Sequence, residues 1–175
     1  MIKPKMLFIV PPNRSAINAR LLSQEFPYMG VACLMAFLKQ HSIDCAVVDT
    51  SLRYSEKDRI LTEAIQVHHP DLIGLSLFSN VAGEGLEIVR AIRRVTTAPI
   101  VVGGPHISCT GSAFLEKAGV EYGIIREGEW PLLKLVEYLY MGNPRHLTLA
   151  TLPGLIFRDS GGAWAMNPNT EMVED

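Results

Sequence analysis

The feature that most restricts the fold is an alternation of short apolar runs with longer segments in which apolar residues recur at helical spacing. This is the pattern of successive βαβ units, which build a parallel sheet with helices on both faces. Five apolar runs predict strands at residues 6–10, 45–48, 72–77, 100–102 and 122–125. The sequence therefore predicts a doubly wound, Rossmann-like α/β domain with a five-stranded parallel sheet in flavodoxin-type order.

The segments between these runs predict helices at residues 29–39, 57–67, about 85–94, 112–118 and 131–140. Gly119 fits a helix C-cap, and Pro131 fits the first turn of a helix. Further along, two apolar runs at residues 155–157 and 163–166 flank Asp159-Ser160-Gly161-Gly162, which predicts a C-terminal β-hairpin appendage. We expect an α/β domain over residues 1–145, with residues 146–175 forming the hairpin and a linker toward a further domain.

Composition narrows the class of protein. A chain of 175 residues, 48% of them hydrophobic, suits one well-filled core, and a net charge of −2 argues against nucleic-acid or anionic-membrane partners. Nothing approaches the roughly 18 unbroken apolar residues of a membrane span. The cysteines, Cys33, Cys45 and Cys109, are odd in number and lie in apolar segments, so we expect reduced thiols packed in the core of a cytoplasmic protein.

Ligands of open α/β sheets bind outside the carboxyl ends of the strands. We therefore examined the residues that follow each predicted strand. The candidate cofactor-binding residues are Thr50, Ser51, Ser76, Phe78, Ser79, Asn80, Gly103, Gly104, Pro105, His106, Glu127 and Gly128. The spacing of His, Cys, Asp and Glu residues suggests neither a protein metal site nor a catalytic set.

Several of these residues have two interpretations. Consecutive glycines at Gly103 and Gly104 let a flat or bulky ligand approach the backbone, or they simply form a tight turn. Ser76 either binds a ligand or satisfies backbone groups in the sheet, and Asn80 either binds a ligand or caps the next helix. His106 could be a ligand, a proton donor or a simple turn residue, and the turn residue is the favoured interpretation.

Glutamates bracket Gly128 ahead of a predicted helix. A helix N-terminus favours negative charge, so Glu129 fits an ordinary acidic residue of the first turn. This interpretation makes a pair of catalytic carboxylates improbable. The loop after the first strand, Pro11-Pro12-Asn13, contains neither a Walker phosphate loop nor a dinucleotide fingerprint, which argues against nucleotide hydrolysis and NAD binding.

The strand ends together resemble the N-terminal cobalamin-binding domain of cobalamin-dependent radical S-adenosylmethionine enzymes. The resemblance covers nearly the whole chain. It is carried by FIVPPN at residues 8–13, FPYMGV at 26–31, PDLIGLS at 70–76, VVGGPH at 101–106, REGE at 126–129 and LPGLIFRD at 152–159.

This resemblance implies cobalamin as the cofactor, and a parent enzyme that also uses S-adenosylmethionine and a 4Fe-4S cluster held by a radical domain of the same chain. Other cobalamin domains carry Asp-x-His-x-x-Gly after the second strand, whereas this chain has Asp49-Thr50-Ser51-Leu52-Arg53. The resemblance thus implies cobalamin held without a histidine ligand. A parent of the methyltransferase type would move a methyl group from cobalamin to its substrate, and this piece would not be catalytic alone.

Two other functions remain open. The first is a cofactor-free docking or substrate-gating domain of such an enzyme, which would fit a structure in which Phe78 fills the region of the glycine pair. The second is a stand-alone sensor or carrier of another small ligand. A cleft at the carboxyl ends of the strands is what the cobalamin hypothesis predicts.

Overall fold

A seven-stranded sheet in the order β2-β1-β3-β4-β5-β6-β7 forms the centre of the molecule. The structure is a computed structural model that describes residues 3–12, 28–50, 54–142 and 146–169. The strands are β1 (Lys5–Val10), β2 (Asp44–Asp49), β3 (Leu72–Ser76), β4 (Ile100–Gly103), β5 (Tyr122–Ile124), β6 (Leu155–Arg158) and β7 (Trp164–Met166). The first five are parallel, so the predicted doubly wound fold and its flavodoxin-type order are confirmed.

The C-terminal hairpin is present, but it is part of the sheet. Strand β6 pairs antiparallel with β5 through Gly123 opposite Ile156, and β7 pairs antiparallel with β6. The sheet is therefore mixed and seven-stranded, whereas the sequence predicted five parallel strands and an appendage. The physical reason is burial, because Leu155, Ile156 and Phe157 are all buried in the core.

Six helices are described. They are α1 (Met29–Gln40), α2 (Lys57–His68), α3 (Ala82–Arg93), α4 (Pro105–Thr110), α5 (Ser112–Ala118) and α6 (Glu129–Tyr140). Short 3-10 turns lie at Tyr54–Glu56, Ser79–Val81 and Leu149–Thr151. The sequence missed α4, although proline at the first helical position after a glycine was an available signal. Gly119 ends α5 in the left-handed conformation, with φ 66°, as predicted.

The helices divide between the two faces of the sheet. Helices α2, α3, α4 and α5 pack on one face, with Leu61, Ile88 and Ile107 in that core. Helices α1 and α6 pack on the opposite face, with Val31 and Leu132 in the second core. Within the described ranges, no helix is long and apolar enough to cross a membrane. The face covered by α1 and α6 is the one on which the candidate site lies.

The three cysteines differ in environment. Cys45, on β2, is buried, as predicted, and burial raises the pKa of its thiol to about 11. Cys33 and Cys109 are exposed, so the prediction of core packing was wrong for these two. The prediction was based on the apolar composition of their segments. On α1, however, Cys33 lies away from the buried stripe that includes Val31 and Leu38.

Thiol labelling checks this arrangement. At pH 8 we expect the disulfide reagent DTNB to modify Cys33 and Cys109 rapidly, and Cys45 only after urea is added. The thiolate is the reactive form, and a buried thiol with a raised pKa supplies very little of it. A Cys33→Ser variant should lose one rapid equivalent. Rapid labelling of all three thiols in the native protein would contradict the structure.

Candidate functional site

A cavity of about 340 Å³ opens at the carboxyl ends of the parallel strands, on the sheet face that carries α1 and α6. Its position is the one expected for open α/β sheets. Its walls combine residues from β1, β3, β4 and β5 with residues from the two helices. The lining is Met6, Phe8, Tyr28, Met29, Gly30, Val31, Leu34, Gly74, Leu75, Ser76, Phe78, Val101, Val102, Gly103, Gly104, Pro105, Ile124, Arg126, Glu127, Gly128, Glu129 and Leu132.

A missing side chain creates part of this space. Residues of a strand alternate between the two faces of the sheet, so Gly103 faces the same side as Val101, which belongs to the core under α1 and α6. Gly74, on β3, lies opposite Val101, and the side chains of Met6 and Phe8 fill the space beside it. Gly103 is therefore the glycine that leaves space in the cavity.

The two glycines at the end of β4 have different roles. Gly104 has φ 94° and ψ 178°, and a Cβ atom there would lie 2.8 Å from the carbonyl oxygen of Leu77. Its own turn thus requires glycine. A Cβ atom on Gly103 would meet only the carbonyl oxygen of Ile124, at 3.6 Å, which is an ordinary contact. Of the two interpretations, the tight turn applies to Gly104, and open space beside the backbone applies to Gly103.

Two polar groups in the cavity have no hydrogen-bond partner among the described residues. The hydroxyl of Ser76 lines the cavity and makes no hydrogen bond to the described backbone, so it does not have the backbone-satisfying role that the sequence left open. Glu129 begins α6, and its Oε2 atom is buried without a described partner. A buried polar atom without a partner is costly, so Glu129 is suited to a ligand that brings a hydrogen-bond donor, and the Ser76 hydroxyl is available to the same ligand.

Tyr28 lies at the cavity mouth, immediately before α1, and was not among the predicted site residues. Burial, and secondarily the carboxylate of Asp49, raise the pKa of its phenol, which therefore stays protonated at neutral pH. A protonated phenol can donate a hydrogen bond to a ligand. Tyr28 follows no predicted strand, and its position immediately before the first helix was the available signal.

Phe78 forms part of the rim. Its side chain is 46% exposed, and it lines both the main cavity and a neighbouring cavity of about 220 Å³. The smaller cavity is lined by Pro11, Tyr28, Ser76, Phe78, Asn80 and Val81. Phe78 therefore stands beside the main cavity and does not fill the region of the glycine pair.

Four of the other predicted site residues line a cavity, and the rest of those described do not. Pro105, Glu127 and Gly128 line the main cavity, and Asn80 lines the smaller one. Thr50 is fully buried and donates its hydroxyl to the carbonyl oxygen of Val10 at 2.8 Å, away from both cavities. Ser51 lies outside the described residues.

Ser79 and His106 lie outside the lining of both cavities and contact each other. The Nδ1 atom of His106 is 3.2 Å from the Ser79 hydroxyl, and its ring meets Phe114 edge-on. The partners of His106 therefore lie in the turn before α3 and on α5. In the part of the chain that is described, no three His, Cys, Asp or Glu residues are grouped so as to hold a metal ion.

The loop between β5 and α6 is held by two residues that were not predicted to contact it, Ser108 and Asn169. The backbone N–H of Arg126 donates to the hydroxyl of Ser108, on α4, at 2.8 Å. The side-chain amide of Asn169 donates to the carbonyl oxygens of Ile125 and Glu127, at 2.9 and 2.8 Å. The segment after β7 thus holds the backbone of a loop that lines the cavity.

Comparison with known proteins gives a family match. The model of the family described as "B12 binding domain" matches residues 16–136, about two thirds of the chain. The match includes the carboxyl ends of β2 to β5, all of α1 and most of α6. Most residues that line the cavity therefore lie within the matched region, whereas Met6 and Phe8, on β1, precede it.

Parts of longer proteins are similar to this chain. The tryptophan 2-C-methyltransferase of Streptomyces laurentii is 24% identical over 156 residues, which are 83% of this chain and 26% of that protein. The radical S-adenosylmethionine methyltransferase TsrM of Kitasatospora setae, solved with cobalamin and a 4Fe-4S cluster, matches with a TM-score of 0.79 and 24% identity over 99% of this chain and 30% of its own.

A second solved enzyme has the same fold. The cobalamin-dependent S-adenosylmethionine radical enzyme OxsB, with aqua-cobalamin and S-adenosylmethionine bound, matches with a TM-score of 0.75 and 19% identity, over 97% of this chain and 23% of that one. This chain therefore spans less than a third of the length of each of these relatives.

Proposed function

The chain belongs to the B12-binding domain family, and from this premise we propose that it is the cobalamin-binding module of a cobalamin-dependent radical S-adenosylmethionine enzyme of methyltransferase type. The observation that carries the proposal is the cavity beside Gly103, at the ligand-binding edge of the sheet. The similarity of nearly the whole chain to part of TsrM supports it.

The cavity suits the aromatic base of cobalamin better than the whole cofactor. Cobalamin consists of a flat corrin ring with amide side chains and a nucleotide tail that ends in an aromatic base. A cavity of about 340 Å³ lies at the small end of ligand pockets, which suits the aromatic base. Phe8, Val31 and Leu132 offer it apolar contact, and the free hydroxyl of Ser76 can donate to a ring nitrogen.

The corrin ring would then lie over the mouth of the cavity. Phe78, Pro105 and Glu127 are exposed on that rim, where a flat ring can contact them. The unpartnered Oε2 of Glu129 can accept a hydrogen bond from a corrin amide. These contacts bind and orient the cofactor, which when bound supplies a cobalt centre able to carry a methyl group.

Cobalt would have no histidine ligand from this chain. Thr50 follows the strand after which other cobalamin domains place their histidine, and its hydroxyl is bonded to the backbone. His106 lies next to Ser79, outside the cavity lining. We therefore propose that the lower face of the ring meets rim residues such as Phe78.

The parent enzyme is proposed to continue into a radical domain that holds S-adenosylmethionine and a 4Fe-4S cluster. The hairpin ends in a segment that is anchored to the site. Asn167 donates its side-chain amide to Leu149 and Leu152, and Asn169 bonds the loop at Ile125 and Glu127. Because this segment is anchored beside the cavity, a domain that follows it would begin at a fixed place near the cavity mouth.

A cobalamin titration tests the proposal. The purified chain should retain cobalamin after desalting. The electron paramagnetic resonance spectrum of its reduced cob(II)alamin complex should show a base-off form without nitrogen splitting, because the base would be in the cavity and no histidine would reach cobalt. Splitting by one nitrogen would contradict the histidine-free arrangement.

A His106→Ala variant is the matched control, and its spectrum should equal that of the wild type. If the chain retains no cobalamin, the titration is repeated on the full-length parent. Binding by the parent alone would mean that the radical domain completes the pocket. Failure of both would favour the cofactor-free docking or gating domain over the proposed function.

A further inference from the structure

Arg126 adopts a backbone conformation that is unfavourable for its side chain. Its φ is 60°, in the left-handed region where residues with a Cβ atom are disfavoured and glycine or asparagine is preferred. Ser42 and His69 share this conformation, but they follow the ends of α1 and α2, where it is common, and His146, which also shares it, lines neither cavity. Arg126 instead lies in a loop that lines the cavity. A disfavoured conformation at a binding site suggests that the side chain has a function there.

The surrounding structure holds this conformation in place. The hydroxyl of Ser108 accepts the N–H of Arg126 at 2.8 Å and donates to the carbonyl oxygen of Gly104 at 3.3 Å. Asn169 bonds the carbonyl oxygens on either side of Arg126, those of Ile125 and Glu127. Contacts from α4, the β4 turn and the C-terminal segment therefore fix one backbone position.

The guanidinium of Arg126 pairs with no carboxylate among the described residues. Its side chain is exposed and forms no ion pair or hydrogen bond there, although a carboxylate follows it at Glu127. By contrast, Arg93, Arg94 and Arg158 each bond a carboxylate. An arginine held at a cavity mouth with free donors suits an anionic group, and its planar fork matches phosphate oxygens.

We infer that Arg126 binds the phosphodiester of the cobalamin nucleotide tail and that Asn169 is a positioning residue for it. The inference rests on the proposed function. The phosphodiester is the anionic group of the tail and links the corrin side chain to the aromatic base. With the base in the cavity and the ring over its mouth, the phosphodiester must lie at the rim, which is where Arg126 is held.

Comparing two corrinoids tests the inference. Cobinamide has the corrin ring but lacks the phosphodiester and the base. Arg126→Gln should weaken cobalamin binding about tenfold, the loss expected for one charge-assisted hydrogen-bond pair, and change cobinamide binding less than about twofold. Raising the salt concentration should weaken cobalamin binding by the wild type more than by the variant. Arg90→Gln, an exposed arginine on α3, is the matched control and should bind both ligands normally.

Two further variants separate ligand contact from loop structure. Arg126→Gly relieves the backbone strain, so it should be at least as stable as the wild type in thermal unfolding and still lose cobalamin affinity. Asn169→Ala should weaken cobalamin binding by a smaller factor. Combined with Arg126→Gln it should add no further loss, because the position of an absent guanidinium no longer matters.

Each result has a defined meaning. Equal losses for cobalamin and cobinamide, or no loss with Arg126→Gln, would overturn the inference and leave the proposed function standing. Wild-type protein that binds neither corrinoid, in this chain and in the full-length parent, would overturn the proposed function and the inference together. Additive losses in the double variant would overturn the role of Asn169.

Discussion

Replacing Gly103 by leucine is expected to weaken cobalamin binding about 100-fold or more, because the new side chain would occupy the space proposed for the aromatic base. The backbone of Gly103 is not in the left-handed region, and its Cβ atom would lie 3.6 Å from the nearest atom, the carbonyl oxygen of Ile124. The substitution therefore causes no clash at the backbone. Filling an apolar cavity should leave the melting temperature unchanged or raise it.

Gly83→Leu is the matched control. Gly83 lies on α3, on the opposite face of the sheet, and a Cβ atom there would meet nothing within 4 Å. This variant should bind cobalamin like the wild type and gain stability, up to about 1 kcal/mol, because glycine is a poor helix former. Absorbance titrations and thermal unfolding of both variants give the comparison. If Gly103→Leu bound cobalamin as tightly as the wild type, the aromatic base could not lie in the cavity beside Gly103.

Replacing Gly104 by alanine is expected to lower the free energy of unfolding by about 3 kcal/mol or more. At φ 94° and ψ 178°, its backbone is in a region used essentially by glycine alone. The added Cβ atom would lie 2.8 Å from the carbonyl oxygen and 2.9 Å from the nitrogen of Leu77. Both are backbone atoms, so the strain cannot be relieved by a change of rotamer.

Urea unfolding measures this loss, and Gly119→Ala separates its two causes. Gly119 also has positive φ, 66°, but a Cβ atom there would meet nothing within 4 Å. This control should lose about 1 kcal/mol from the backbone conformation alone. The excess loss in Gly104→Ala then measures the contact with Leu77. Equal losses in the two variants would show that the loop moves to accommodate the methyl group.

The arrangement of the glycine pair links stability to binding. Gly104 makes the turn that begins α4, and α4 carries Ser108, which bonds the loop at Arg126. Gly103, one residue earlier, leaves space in the cavity. A single turn therefore serves two purposes, and substitutions at adjacent positions should affect different properties of the protein.

The class of fold and the edge of the sheet where the site lies could be predicted from the order of the amino acids alone. Apolar periodicity depends on neighbouring residues, so the parallel strands, the helices between them and the C-cap at Gly119 were predictable. The general rule for open α/β sheets then indicated the strand ends, and Ser76, Gly103 and Glu127 do line the cavity.

Contacts and spaces formed between distant segments could not be predicted in this way. The pairing of β6 with β5, the burial of Thr50 against Val10 and the bond between Asn169 and Ile125, which are 44 residues apart, join segments whose own sequences do not specify their partners. The cavity is likewise bounded by residues that are distant in the sequence, and its volume depends on their side chains and on the absence of one at Gly103. Such contacts and spaces arise only when the elements pack together, because packing depends on which faces meet.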